Sequence, residues 1–371
     1  MTNKITVERV LIDETLTGSV EIPVYTIEST APGKTVYIQS SVHGAELQGN
    51  AVIYELFNYF KTAKFSGKII FVPLANPLAS GQKLGTYTFG RFNPVTGDNW
   101  NRMYLNLKDI DFDDFVSKHN SSSTQEINSA FKDLIYDSLE NYISTQGKYE
   151  VSDNKRLFIT LQKLASHADI VLDLHTGANA TRYIYSPECQ ETKMKDINFP
   201  HYIVIPNEFG GAMDEATFTP WFNLTQKLKE AGVNYDYDFE SYTVELGSEE
   251  IIDMLEAKND ASRILSLLEA RNVLNEKIDK LDTKQFSCHL SDYKSYHSPI
   301  AGLCEYHVRP GNHFKSGDTL ATIYQMDKLD QESSYREVKA LTDGILIHQT
   351  PSASVKKGME LFQVFSKFKE L

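Results

Sequence analysis

The chain has 371 residues, 50 of them acidic and 37 basic, for a formal charge of −13 at pH 7. With 41% hydrophobic and 23% charged residues it lies in the globular band and can bury a sizeable core without staples. The acidic balance, with no Lys/Arg-rich run, argues against a nucleic-acid or anionic-membrane surface.

The N-terminus, MTNKITVERVLIDETL, lacks the apolar core of a signal peptide, and no apolar run approaches the ~18 residues of a membrane span. Cys189, Cys288 and Cys304 show no CxxC spacing, which fits a reducing compartment. A cytoplasmic protein is expected.

Residues 5–29 alternate apolar and polar across Gly18 and predict an antiparallel hairpin. KTVYIQSSVHG reads as a strand, AELQGNAVIYELFNYF as a helix that follows within two or three residues of Val42, and GKIIFVPLANP as the next strand. Residues 103–168 are polar and helical, with Ile127, Phe131, Leu134 and Ile135 on one stripe, and are expected to form a cap or insertion. ADIVLDLHTG, HYIVIPNE and SYTVELGS follow as strands, and residues 249–281 as one long amphipathic helix. Buried strand runs alternating with helices predict an α/β fold, a doubly wound mixed sheet flanked by helices, over residues 1–285. Residues 286–371 carry a weak internal repeat in which Gly302, Gly317 and Leu320 match Gly344, Gly358 and Leu361. A small all-β sandwich or barrel, each copy covering the other's apolar face, is expected there.

His43 and Glu46 stand three apart where a strand turns into a helix, at the carboxyl end where open α/β sheets place ligands. A neutral imidazole and a carboxylate are zinc donors, with Gly44 allowing the turn, although His-x-x-Glu also occurs by chance. His175 likewise ends an apolar strand, and Asp173 shares its face at period two, placed to hydrogen-bond a ligand imidazole. A structural histidine at a strand end would look the same. Glu245, inside the apolar VELG segment, needs a cavity or a partner unless it lies at a sheet edge. Arg91 and Asn101-Arg102 lie in a Gly/Asn/Pro-rich loop after Asn76-Pro77. There Arg102 suits capture of a carboxylate and Arg91 polarisation of a carbonyl, the alternative being solvated loop arginines. Arg182, seven residues past His175, is a candidate second carboxylate contact or a structural ion pair.

HGAE, then NP…R…NR, then DLH, then VELG, in that order, resemble the succinylglutamate desuccinylase/aspartoacylase family of the zinc carboxypeptidase superfamily, over residues 35–250 or so. The resemblance implies a zinc carboxypeptidase-like fold with a biotinyl/lipoyl-like β domain, here without a Met-Lys-Met hairpin for a carried cofactor. It implies one Zn2+ per chain on His43, Glu46 and His175, with Glu245 as general acid/base. Asn101 and Arg102 would hold the substrate carboxylate and Arg91 would polarise the scissile carbonyl. The implied activity is deacylation of a small carboxylate-bearing substrate such as an N-acyl amino acid. Two nitrogens and one carboxylate also suit cobalt, manganese or iron. A peptidase trimming a C-terminal residue and a non-catalytic carboxylate-binding protein are the alternatives; the presence of Glu245 with all three ligands speaks against the second. Tyr306 and His307 are the C-terminal residues to watch at the pocket rim, and the sequence does not choose between a monomer and a homo-oligomer.

Overall fold

The computed structural model describes residues 3–145, 151–235, 238–331 and 333–371. Four parallel strands, Lys68–Val72, Thr35–Ser40, Ile170–Gly177 and Glu240–Ser248, lie side by side at the centre of a ten-stranded sheet. Their runs are apolar because helices cover both faces. Helices Gln48–Phe60 and Met254–Ala270 bury Val52, Leu56, Ile264 and Leu268 against Ile38, Leu172 and Val244. On the other face, helices Asp153–Ala165 and Met213–Glu230 bury Leu157, Leu161 and Trp221 with Tyr37 and Val171. The sheet is therefore doubly wound. The hairpin of Lys4–Thr15 and Gly18–Glu28 extends one edge antiparallel, as its alternation predicts.

Three local expectations change. Helix Gln48–Phe60 starts six residues after Val42, leaving His43–Leu47 as an irregular turn. The expected helix over 249–281 is Met254–Ala270, opened by the Asp253 side chain capping Leu255 and Glu256 N–H. The chain then turns at Asn272 (φ 58°), so that Val273 and Leu274 can pack beside Phe65. Within the 103–168 segment, expected as a polar cap or insertion, the helix Thr124–Thr145 packs into the core of the domain: Ile127, Phe131, Ile135 and Leu139 are buried, with Phe131 edge-on to Trp221 at 4.8 Å.

The C-terminal repeat is real. One sheet runs Tyr293–His297, Glu360–Phe365, Gly344–Gln349, His313–Phe314; the other runs Tyr335–Lys339, Thr319–Tyr324, Gly302–Tyr306, Ser354–Val355. Each copy lends its short middle strand to the other copy's sheet, so neither half buries its apolar face alone. Strand Phe286–His289, assigned from sequence to the C-terminal unit, instead pairs with His201–Ile205. With Lys369–Glu370 it extends the large sheet. Cys189, Cys288 and Cys304 are free thiols. No helix among the described residues is long and apolar enough to cross a membrane.

Candidate metal centre and active-site cavity

The strand Thr35–Ser40 is left through Ser41, a non-glycine residue at φ 64°. The turn is pinned on both sides: Ser41 Oγ bonds Asn50 Oδ1 at 2.8 Å, and Asn76 Nδ2 donates to the Val42 carbonyl at 2.9 Å. Gly44 is required for close approach, not for a special φ. A Cβ there would lie 2.3 Å from the Ala79 carbonyl oxygen and 2.8 Å from that of Phe89.

This turn aims His43 and Glu46 at the neighbouring strand. His43 Nδ1 lies 2.8 Å from Glu46 Oε1, and His175 Nδ1 lies 2.7 Å from Glu46 Oε2, which also accepts the Thr176 N–H at 3.1 Å. All three side chains are buried, and their donor atoms lie within 4.8 Å of one another. The far nitrogens face oxygen acceptors. His43 Nε2 is 2.9 Å from Asn99 Oδ1, and His175 Nε2 is 2.8 Å from Asp173 Oδ2, whose Oδ1 accepts from Gln39 Nε2 at 2.8 Å. With a metal in place, a proton on each Nε2 would leave both Nδ1 lone pairs free to bind it alongside Glu46. Two buried imidazole nitrogens and one carboxylate form a zinc donor set, so these residues fit that metal.

The electrostatics agree. Burial raises the pKa of Glu46, but His43 and His175 outweigh it and hold the carboxyl well below its usual range. Burial lowers the pKa of His175, while Asp173 and Glu46 carry it well above 6.5.

Strand register supplies the rest. Glu245 sits directly opposite His175 on one side and Tyr183 on the other, so all three share one face of the sheet. Burial, then the charge of Glu46, pushes the Glu245 carboxyl up to about 8, against the pull of His175 and Arg91. Its Oε2 is buried with no hydrogen-bond partner among the described residues. Arg91 Nη1 lies 3.4 Å from Glu46 Oε1 and 3.7 Å from Glu249 Oε1. The single turn Trp100–Arg102 places Asn101 Nδ2 3.3 Å from His175 Nε2, leaves Asn101 Oδ1 without a hydrogen-bond partner among the described residues, and exposes Arg102.

His43, Glu46, His175, Glu245, Arg91, Asn101 and Arg102 all line one cavity of about 630 Å³, a size suited to a small ligand. Arg182 does not. Its Nε donates to both oxygens of fully buried Asp260, at 2.8 and 3.0 Å, and its Nη2 lies 3.1 Å from Glu256. Burial raises the Asp260 carboxyl to about 6 even with Arg182 beside it. Arg182→Ala is therefore expected to lower unfolding stability by about 2–3 kcal/mol in denaturant titration, leaving substrate KM unchanged. Tyr306 and His307 also stay within the sandwich, bonded to the Ser352 carbonyl and to Thr322 Oγ1.

The sequence reading missed Asn99, Tyr183, Tyr185, Asp214, His348, Glu360 and Gln363, all of which line the cavity. Tyr183 and Tyr185 had a signal, since a period-two pair after DLHTG shares a face with Glu245 once the strands pair. Asp214, pushed up to about 7 by burial and then by Glu215, opens a helix whose position no local pattern reveals.

A family model, the succinylglutamate desuccinylase/aspartoacylase catalytic domain, matches residues 32–271. Among curated proteins none matches. Two solved structures named for that family, from Shewanella frigidimarina NCIMB 400 and Shewanella amazonensis SB2B, are each 37% identical, with TM-scores of 0.95 and 0.94. The first covers 100% of this chain and 99% of its own, the second 99% and 100%. The ectoine utilization protein EutE (DoeB) of Ruegeria pomeroyi shares the fold at 17% identity and a TM-score of 0.67, over 99% of this chain and 95% of its own. By the matched domain and by likeness over the whole length, this chain belongs to the succinylglutamate desuccinylase/aspartoacylase family, a family of deacylases.

Proposed function

We propose that the chain is a zinc-dependent hydrolase that cleaves the amide bond of a small carboxylate-bearing substrate, an N-acyl amino acid in the first instance. One observation carries this reading: Glu245, whose buried Oε2 has no hydrogen-bond partner among the described residues, shares a cavity with the His43–Glu46–His175 donor set and two arginines.

Zinc held by those three side chains would supply Lewis acidity, lowering the pKa of water and polarising a carbonyl. Glu245, with a proton affinity near neutrality, takes the proton of the attacking water and returns it to the amine nitrogen as the C–N bond breaks. The products are a carboxylic acid and a free amine. Arg91, whose side chain is half exposed, is kept cationic by Glu46, Glu245 and Glu249 against partial desolvation and faces the developing oxyanion, a contact worth ~3–4 kcal/mol in comparable sites. Arg102, with Asn101 beside it, holds the substrate carboxylate.

A panel of N-acyl amino acids, their carboxyl-methyl esters and short peptides tests this. Free acids should turn over and esters should not, and Arg102→Ala should raise KM by roughly 10–100-fold with a smaller effect on kcat. Faster cleavage of peptides than of any N-acyl amino acid, or equal use of ester and acid, would overturn it.

A further inference from the structure

The cavity has a wall that the catalytic residues do not use. His348, Glu360 and Gln363 reach it from the C-terminal sandwich, on the adjacent strands Gly344–Gln349 and Glu360–Phe365. The sandwich is docked there by backbone: Thr181 N–H donates to the Ile347 carbonyl at 3.0 Å, and Gln349 N–H to that of Asn179 at 2.8 Å. Between these bonds the His348 ring sits against the end of the strand that carries His175. Its Cδ2 lies 2.9 Å from where a Cβ on Gly177 would be, so the missing side chain makes room for the imidazole.

His348 Nε2 accepts the Ala178 N–H at 3.2 Å. That acceptor role fixes the tautomer of the neutral ring with its proton on Nδ1. Burial lowers the pKa of His348, which favours the neutral form. Nδ1 is buried and has no hydrogen-bond partner among the described residues. A buried N–H without an acceptor is costly, and because His348 lines the cavity, a ligand held there can supply that acceptor.

The adjoining Glu360 restricts what that ligand group can be. Its Oε2 accepts from Ser295 Oγ at 2.6 Å and from Gln363 Nε2 at 3.2 Å, while Gln363 Oε1 accepts from Tyr293 OH at 2.7 Å. The carboxylate is held in place and lies within electrostatic reach of His348. Arg182, the cation that could have welcomed a second carboxylate, is bound to Asp260.

We propose that His348 is a substrate-binding residue supplied by the C-terminal sandwich. It donates Nδ1–H to a neutral oxygen of the substrate (an amide, carbonyl or hydroxyl), and Glu360 discriminates against a carboxylate at that end. The inference rests on the cavity being a substrate site. It sets the substrate class as an N-acyl amino acid with one carboxylate, at Arg102, and an uncharged polar group at the other end.

Two substitutions separate this role from simple latching of the sandwich. In His348→Gln the amide oxygen can replace Nε2 as acceptor for Ala178 while the Nδ1 donor is lost. In His348→Asn the amide nitrogen can replace Nδ1 while the latch is lost. Calorimetry on the full chain carrying Glu245→Gln, so that nothing is consumed, reads binding of N-acetylglutamine and its isostere N-acetylglutamate. His348→Gln should weaken N-acetylglutamine binding about tenfold or more with its melting temperature retained. His348→Asn should bind within roughly threefold of the parent but melt lower. Glu360→Gln should favour N-acetylglutamate relative to N-acetylglutamine. The reverse order of the two His348 variants, equal binding in both, or no binding of either probe by the parent would overturn the proposal. Binding in the expected order without turnover in the Glu245-intact chain would count against the hydrolase reading alone.

Discussion

Replacing Glu245 by glutamine should lower deacylase turnover by about 10²–10⁴-fold while zinc remains bound. The side chain is not one of the three donors, and it differs from them in electrostatic state. Glu46 is held deprotonated by two imidazoles, whereas Glu245 is pushed up to about 8 by burial and by Glu46. That places its proton exchange in the range where one group can serve first as base and then as acid. The same shift makes a stability statement. A carboxyl whose pKa is raised on folding contributes stability below its unfolded pKa of about 4.5 and loses that contribution as pH rises through 8. In chelator-treated protein, Glu245→Gln should therefore be more stable than wild type, by a margin that grows from pH 5 to pH 9. Unchanged turnover in the variant would remove Glu245 from the chemistry. A margin that shrinks with rising pH would contradict the upward shift of its carboxyl on folding.

His43→Ala should reduce activity to background and abolish the stabilisation that zinc confers on the stripped protein. A ligand that binds only the folded state raises its stability by mass action, about 4 kcal/mol at a thousand times Kd. In wild type, zinc should therefore raise the melting temperature by several degrees. Removing one of two imidazole donors breaks the set, and Glu46 is then left buried with a single histidine partner. The expected result is no zinc-dependent shift in the variant by scanning fluorimetry. A wild-type-sized shift would mean that His43 does not hold the metal.

The parts of this account that were legible in the sequence share a cause. The central strands are covered on both faces, so their runs stand out, and His43 and His175 stand at the carboxyl ends of two such runs. Asp173 followed from period two alone. The repeat at Gly302 and Gly344 was visible because each copy must cover the other. What failed to show depends on contacts between distant segments. The helix after residue 249 stops at Ala270 because the following turn buries Val273 and Leu274 beside Phe65. Arg182 turns to Asp260, 78 residues away, and the helix Thr124–Thr145 packs into the core of the domain because Phe131 finds Trp221. His348 meets Ala178 across a separation of 170 residues, so no local pattern in the C-terminal domain could mark it as part of the cavity wall.

The central claim is that His43, Glu46 and His175 form a zinc centre served by Glu245. Elemental analysis of protein purified without chelator tests it most directly, with wild type, Glu245→Gln and His43→Ala run side by side. The account predicts near one zinc per chain in the first two and none in the third. Absence of bound metal from all three, even after zinc is added back, would contradict it.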